Sequence, residues 1–312
     1  FDQIQRASTV TSRGKKLART ALDSGLATVH EETGSISVPC GDNRFLKILA
    51  ADGTAVYGTL DFGAALTRWE DHHFSRMIYV VGYEQSSYFN KMFHALKELE
   101  YSFADSCEHL ATGHLVLQDG KMSSRKGNVM HLEDVLTGVV ANAESVILER
   151  EFEGNVAELA AAIGIGALKY QVHSVDPRST IKYSEQKALN LSGKSAPFAQ
   201  YAYARAGRIL EKAGEVKLIY SPSVFTTSYE HSLIKRIAEF PVAVHDAEDL
   251  RPQIIAGYVH TLSGTFNQFY KNVHVLSEEN PIARTSRLVL IHCFRQTLSN
   301  ALYLLGIKAP EK

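Results

Sequence analysis

Cysteine is scarce in this chain of 312 residues. Cys40, Cys107 and Cys293 are odd in number and far apart, which excludes a disulfide framework and gives no zinc-ligand spacing. They read as ordinary half-buried thiols in a reducing compartment. Long hydrophobic runs are absent as well. No stretch reaches the ~18–20 apolar residues of a membrane span, and the opening FDQIQRASTV lacks the apolar core of a signal peptide. A starting Met is missing, so the chain is expected to begin inside a longer protein. An excess of either charge is also lacking. Lys and Arg number 33 against 34 Asp and Glu, which excludes a disordered polyelectrolyte.

What is present is apolar material for real cores, 45% of residues, over a length that suits two domains. The small net charge is unevenly placed. Residues 1–184 hold 18 Lys/Arg against 23 Asp/Glu, and residues 185–312 hold 15 against 11. The later half is mildly basic, which permits nucleic-acid binding without demanding it.

The hydrophobic pattern changes along the chain. A helix is predicted around Gly14–Gly25. SISVPC (35–40), FLKIL (45–49) and AVYG (55–58) alternate and read as β, and a helix follows over Phe62–Trp69. RMIYVVG (76–82) is a continuous apolar run of the kind buried on both faces of a parallel sheet. A helix over 88–101 and a strand over 109–117 complete an α/β alternation. After Asn128 two helical periods cover 132–171. Helices are then predicted over 185–213, 228–247, 251–275 and 283–305, a helical bundle. The expected architecture is an α/β, partial Rossmann-type nucleotide-binding domain over 1–131, a helical connector over 132–186, and an all-α bundle over 187–312.

The densest chemistry lies in Asp119-Gly120-Lys121-Met122-Ser123-Ser124-Arg125-Lys126-Gly127-Asn128, between a predicted strand and a predicted helix. Cations, hydroxyls and flanking glycines suit a loop that closes over a polyphosphate and neutralises developing charge. The plain alternative is a solvated basic turn. Ser192-Gly193-Lys194-Ser195 resembles the end of a phosphate-binding loop, but Ala188 stands where its first glycine belongs and no strand precedes it. His109 with His114, and Asp71-His72-His73, have no further ligand at metal spacing.

The string Lys-Met-Ser-x-Arg-x-Gly-Asn resembles the KMSKS signature loop of class I aminoacyl-tRNA synthetases, in the form found in arginyl-tRNA synthetases. Asp52-Gly53-Thr54 with Tyr57, Thr59 and Asp61 is similar to the family's DGTxxYxTxD segment, and Tyr79-Val80-Val81-Gly82 with Gln85 to its YVVGxxQ strand end. AIGIGALKY (162–170) and LNLSGKSAPFAQYAYAR (189–205) resemble its IGxGAxKY helix and the start of its DALR-type anticodon-binding bundle.

The resemblance implies an arginine–tRNA ligase with ATP, Mg²⁺, arginine and tRNA(Arg) as its partners, and no structural metal. It implies a cytoplasmic monomer away from membranes. It implies Lys121, Ser123, Arg125 and Lys126 as the triphosphate-holding catalytic residues, with Met122, His109 and Val116 beside ATP. Tyr57, Asp61 and Gln85 would hold the substrate arginine. A guanidinium is a planar fork of donors, and a carboxylate is its natural acceptor. Phe198, Arg205, Tyr270 and His274 would meet the anticodon, whose unstacked bases stack on such side chains. On the residues alone Tyr57 and Phe198 could equally be core aromatics, and Asp61 a helix N-cap.

The sequence departs from the family in several places. No HIGH tetrapeptide occurs, so this chain alone is not expected to adenylate arginine. Ala7 stands where a Glu that pairs with arginine is usual, Leu60 where an Arg or Lys is usual, and Tyr88 where a His is usual. These departures leave a second reading, a non-catalytic tRNA-binding paralogue. A third, a class I synthetase for cysteine, would be expected to show zinc-ligand spacing that is absent here.

Overall fold

A computed structural model describes residues 1–41, 44–117, 131–149, 154–215 and 220–310. It forms two compact units, Phe1–Gly113 and His114–Lys312.

The first unit opens on α1 (Ala7–Asp23), which begins well before the glycine where its helix was predicted. An antiparallel meander follows: β1 (Thr28–Val29), β2 (Ile36–Pro39) and β3 (Phe45–Leu49), in that order. AVYG is not a strand. The backbone turns at Asp52, whose carboxylate accepts the Thr54 N–H at 2.9 Å, and helix α2 (Tyr57–His72) starts within the predicted strand. Thr59 explains the switch. Its hydroxyl accepts the Val56 N–H at 2.9 Å, satisfying a donor at the helix start, and donates to the Ile48 carbonyl of β3. Helices α1 and α2 cross closely. A Cβ on Gly14 would stand 1.8 Å from the Thr59 carbonyl oxygen, so only glycine fits there.

A parallel βαβ unit completes this half. β4 (Met77–Gly82) leads through α3 (Ser86–Glu98) to β5 (Cys107–Thr112), paired in register from Met77 with Cys107 to Gly82 with Thr112. The core gathers Phe62, Met92, Leu96 and Phe103 under the sheets. β4 is not buried on both faces. Tyr79 is 9% exposed and Val80 64%, so within the described residues one face of this strand is open. The strand predicted over 109–117 breaks at Gly113-His114: β5 ends at Thr112, and β6 (Leu115–Leu117) pairs instead with β7 (Ile181–Tyr183).

The second unit is mostly helical. α4 (Leu132–Leu148) packs along α5 (Val156–His173), and a Cβ on Gly164 would come 2.6 Å from the Val139 carbonyl oxygen. The helix predicted over 185–213 is interrupted. After the short α6 (Glu185–Ala188) the Asn190 side chain accepts bonds from Ser192 N–H and hydroxyl at 2.8 Å, which holds a turn. Ser195 then caps α7 (Ala196–Ala213), accepting the Phe198 N–H at 3.3 Å. The helix predicted over 228–247 divides into α8 (Ser228–Ala238) and α9 (Phe240–Ala247), with Pro241 in the first turn of the second piece. α10 (Pro252–Asn272) and α11 (Pro281–Leu304) complete the bundle. Phe266 and Phe294 stack face to face at its centre with ring centroids 3.9 Å apart, and Tyr170 of α5 donates to the Ala256 carbonyl at 2.8 Å. The chain is thus α/β followed by a helical bundle.

Candidate functional sites

Each unit carries one candidate site. In the first unit the site forms where α2 meets the start of α3. Tyr57 is the first residue of α2 and 83% exposed, so it is not a core aromatic. Asp61 follows it by one turn on the same face. It is half-buried and lies inside the helix rather than at its N-cap, which is Val56. Its Oδ2 accepts a hydrogen bond from the Tyr88 hydroxyl at 2.5 Å. Burial pushes the Asp61 carboxyl above the usual carboxylate range; the Tyr88 bond and the charge of Arg68 hold it back part of the way. Among the described residues Asp61 has no ion-pair partner. Gln85 is exposed at the N-cap position of α3, where its side chain makes no capping bond, just beyond the carboxyl end of β4 and one turn before Tyr88. That end of a parallel strand is where open α/β sheets place ligands.

His109 lies on β5 with its ring stacked on Phe89, centroids 4.7 Å apart, and its Nε2 3.1 Å from the Val81 carbonyl oxygen. Val116 is half-buried on β6, in the second unit. Lys121, Met122, Ser123, Arg125 and Lys126 lie outside the described residues.

The site of the second unit is a cleft of about 1270 Å³ bounded by α4, α5, α7 and the end of α10. Its floor is apolar, with Val146, Ile147, Leu159 and Ile163, and its rim is cationic and aromatic. Arg205 is clamped on the rim. Its guanidinium carbon lies 4.5 Å from the ring centre of Tyr201 and 4.4 Å from that of Tyr270, and its Nη1 donates to Asn267 Oδ1 at 2.7 Å. His274 is exposed on the same rim. Phe198 does not line the cleft; it is half-buried against His260, ring centroids 5.3 Å apart. Burial and the nearby charge of Lys194 hold the His260 imidazole below its usual range.

Sequence reading missed four residues of the rim: Tyr201, Arg208, Lys212 and Lys271. The signal was available. Tyr201, Arg205, Arg208 and Lys212 are spaced i, i+4, i+7 and i+11, one polar stripe of α7. Cations interleaved with aromatic faces are what unpaired bases and their phosphates require. Among the described residues no group of three or more His, Cys, Asp or Glu side chains stands together to hold a metal ion, and no helix is long and apolar enough to cross a membrane.

Comparison with known proteins places this geometry. The model of the class I (R) tRNA synthetase catalytic domain matches residues 16–180, and that of the DALR anticodon binding domain matches residues 199–312. The chain belongs to the class I tRNA synthetase family. Within it, the chain resembles the arginine–tRNA ligase of Parabacteroides distasonis, 34% identical over all of this chain and 54% of the relative. The arginine–tRNA ligase of Flavobacterium psychrophilum is 33% identical, over all of this chain and 53% of the relative. The structure of Thermus thermophilus arginyl-tRNA synthetase superposes with a TM-score of 0.83 at 25% identity, over 97% of this chain and 59% of that one. The chain spans about half the length of the curated relatives it matches.

Proposed function

We propose that this chain supplies the arginine pocket, the triphosphate loop and the anticodon-binding surface of an arginine–tRNA ligase. Asp61 carries the reading. A half-buried carboxylate, bonded only to a neutral hydroxyl among the described residues, is an acceptor for an external cation, and the relatives are named for arginine. Tyr57 and Gln85 complete the pocket. The arginine carboxylate attacks the α-phosphorus of ATP, pyrophosphate leaves, and the terminal ribose hydroxyl of tRNA(Arg) then takes the arginyl group and releases AMP. Catalysis is positioning and charge neutralisation, with no protein nucleophile. Lys121, Ser123, Arg125 and Lys126 hold the triphosphate, with Lys126 in the role of the second lysine of KMSKS. Met122, His109 and Val116 lie along ATP. Mg²⁺ comes with ATP as part of the substrate.

The tRNA anticodon loop occupies the cleft of the second unit. Arg205, Tyr270 and His274 touch it, joined by Tyr201, while Phe198 reaches it only by turning from His260. The division at residues 131 and 186 into catalytic part, connector and anticodon domain belongs to this reading, as do a cytoplasmic location and a monomeric state.

The test is arginine-dependent exchange of pyrophosphate into ATP by the full-length polypeptide, with tRNA present. Asp61→Asn is expected to raise the KM for arginine by about a hundredfold, the scale of losing one charge-assisted bond. Unchanged exchange in Lys126→Ala would remove Lys126 from its role. Tight tRNA binding with no exchange by the wild-type protein would favour a non-catalytic tRNA-binding paralogue.

A further inference from the structure

We propose that Tyr88 is the positioning residue of the arginine pocket: its hydroxyl fixes Oδ2 of Asp61 and leaves Oδ1 as the acceptor for the substrate guanidinium. The inference rests on the reading of Asp61 given above and adds a residue that stands where the family usually has a histidine. Three observations carry it. The Tyr88 hydroxyl donates to Asp61 Oδ2 at 2.5 Å, across two helices and 27 residues of sequence. The phenol ring is itself held, edge-on to Phe89 with centroids 5.4 Å apart, and Phe89 in turn stacks on His109. Asp61 Oδ1 has no bond among the described residues.

The chemistry of the donor matters as much as its place. A buried carboxylate needs a hydrogen bond to remain ordered, but a cationic partner would satisfy its charge and compete with the substrate. A phenol orders the carboxylate without adding a cation to it. Burial and the Asp61 charge push the Tyr88 hydroxyl up, so it stays a donor at every physiological pH. Among the described residues the other charged or titratable groups facing Asp61 are Arg68 of α2 and Tyr79 of β4. Arg68 is directed elsewhere, donating to Gln5 Oε1 at 3.0 Å with its guanidinium over the Tyr79 ring. A histidine at position 88 would instead bring a second titrating group to the carboxylate.

The experiment compares wild type, Tyr88→Phe, Tyr88→His and Asp61→Asn in the full-length polypeptide. It combines arginine-dependent pyrophosphate exchange with a carbon-detected titration of the Asp61 carboxyl. Tyr88→Phe keeps the ring and its packing. It is expected to raise the KM for arginine about five- to twentyfold with kcat within about twofold, as befits lost binding made equally in ground and transition states. Tyr88→His is expected to restore KM above pH 7 and to weaken arginine binding below pH 6, where the imidazolium occupies the carboxylate. The titration should move in Tyr88→Phe, reporting that the bond existed. An unchanged KM alongside a moved titration would overturn the proposal, since the bond would then be structural only. An unchanged KM in Asp61→Asn would overturn the arginine reading itself and the proposal with it.

Discussion

Replacing Arg205 by Met tests whether that guanidinium is a clamp or a phosphate ligand. Met keeps an unbranched stem of similar reach and deletes the planar cation. In the structure the cation lies between Tyr201 and Tyr270, at 4.5 and 4.4 Å from their ring centres, with Asn267 accepting at 2.7 Å. Its donors are thus partly spent inside the protein. The larger effect of losing it is to release the two tyrosine rings that it holds, which the proposed anticodon contact would have to order again. Re-ordering each costs about 0.5–1.5 kcal/mol on binding, about 1–3 kcal/mol for the pair, or roughly 5- to 150-fold in Kd. The assay is tRNA binding between 50 and 200 mM salt, compared with Arg208→Met. Arg208 lines the same rim and is exposed. Removing one cation that neutralises a single-strand phosphate lowers the log–log salt slope by about 0.7. Arg205→Met is therefore expected to weaken binding at an unchanged slope, and Arg208→Met to lower the slope. A slope that falls equally in both variants would refute the clamp and make Arg205 an ordinary phosphate ligand.

Two further predictions concern stability. Glu230 is fully buried, and its Oε1 accepts from Arg287 Nε at 2.7 Å. Arg287→Met orphans that oxygen while leaving the bonds from Thr226 and Thr227 to Oε2, so the loss should fall near about 3 kcal/mol in urea unfolding, the low end for a broken buried pair; a loss below about 1 kcal/mol would refute it. Burial alone would raise the Glu230 carboxyl, but the bonds from Thr227 and Arg287 outweigh it and hold the group below its ordinary value of 4.5. That contribution is therefore complete above pH 4.5 and disappears as pH falls through the lowered value, and the acid limb of a stability–pH curve should flatten in Arg287→Met. In the first unit, Gly14→Ala sets a Cβ against the backbone oxygen of Thr59, which cannot turn away. The crossing of α1 and α2 must open, at a cost of about 3 kcal/mol, and hydrogen exchange should quicken in those two helices alone.

The periodicities located most helices and strands, because each buries one face against a core. They failed where a single polar side chain decides between two local options. Thr59 bridges the start of α2 to the β3 carbonyl and turns an alternating AVYG into a helix start. Asn190 and Ser195 interrupt a helical run by offering its backbone other partners. Gly113-His114 separates two strands that read in sequence as one β-rich run, since such a run does not say which strand is the neighbour.

The same limit governs the sites. The proposed pocket residues Tyr57, Asp61 and Gln85 share a motif because the chain itself sets their distances: one turn of α2, and three residues past the end of β4. Tyr88 lies 27 residues from Asp61 and reads in sequence only as a departure from the family's histidine. It becomes a hydrogen-bond donor only once α2 and α3 are packed. Arg205 and Tyr270 were legible as residue types but not as partners, since their pairing depends on α7 lying beside α10. Under the proposal made for Tyr88, a substitution that looks like a loss in the sequence keeps its function through different chemistry. A phenol can hold a carboxylate as well as an imidazole does, without the charge, and position 88 distinguishes the two by whether arginine binding follows the titration of a neighbour.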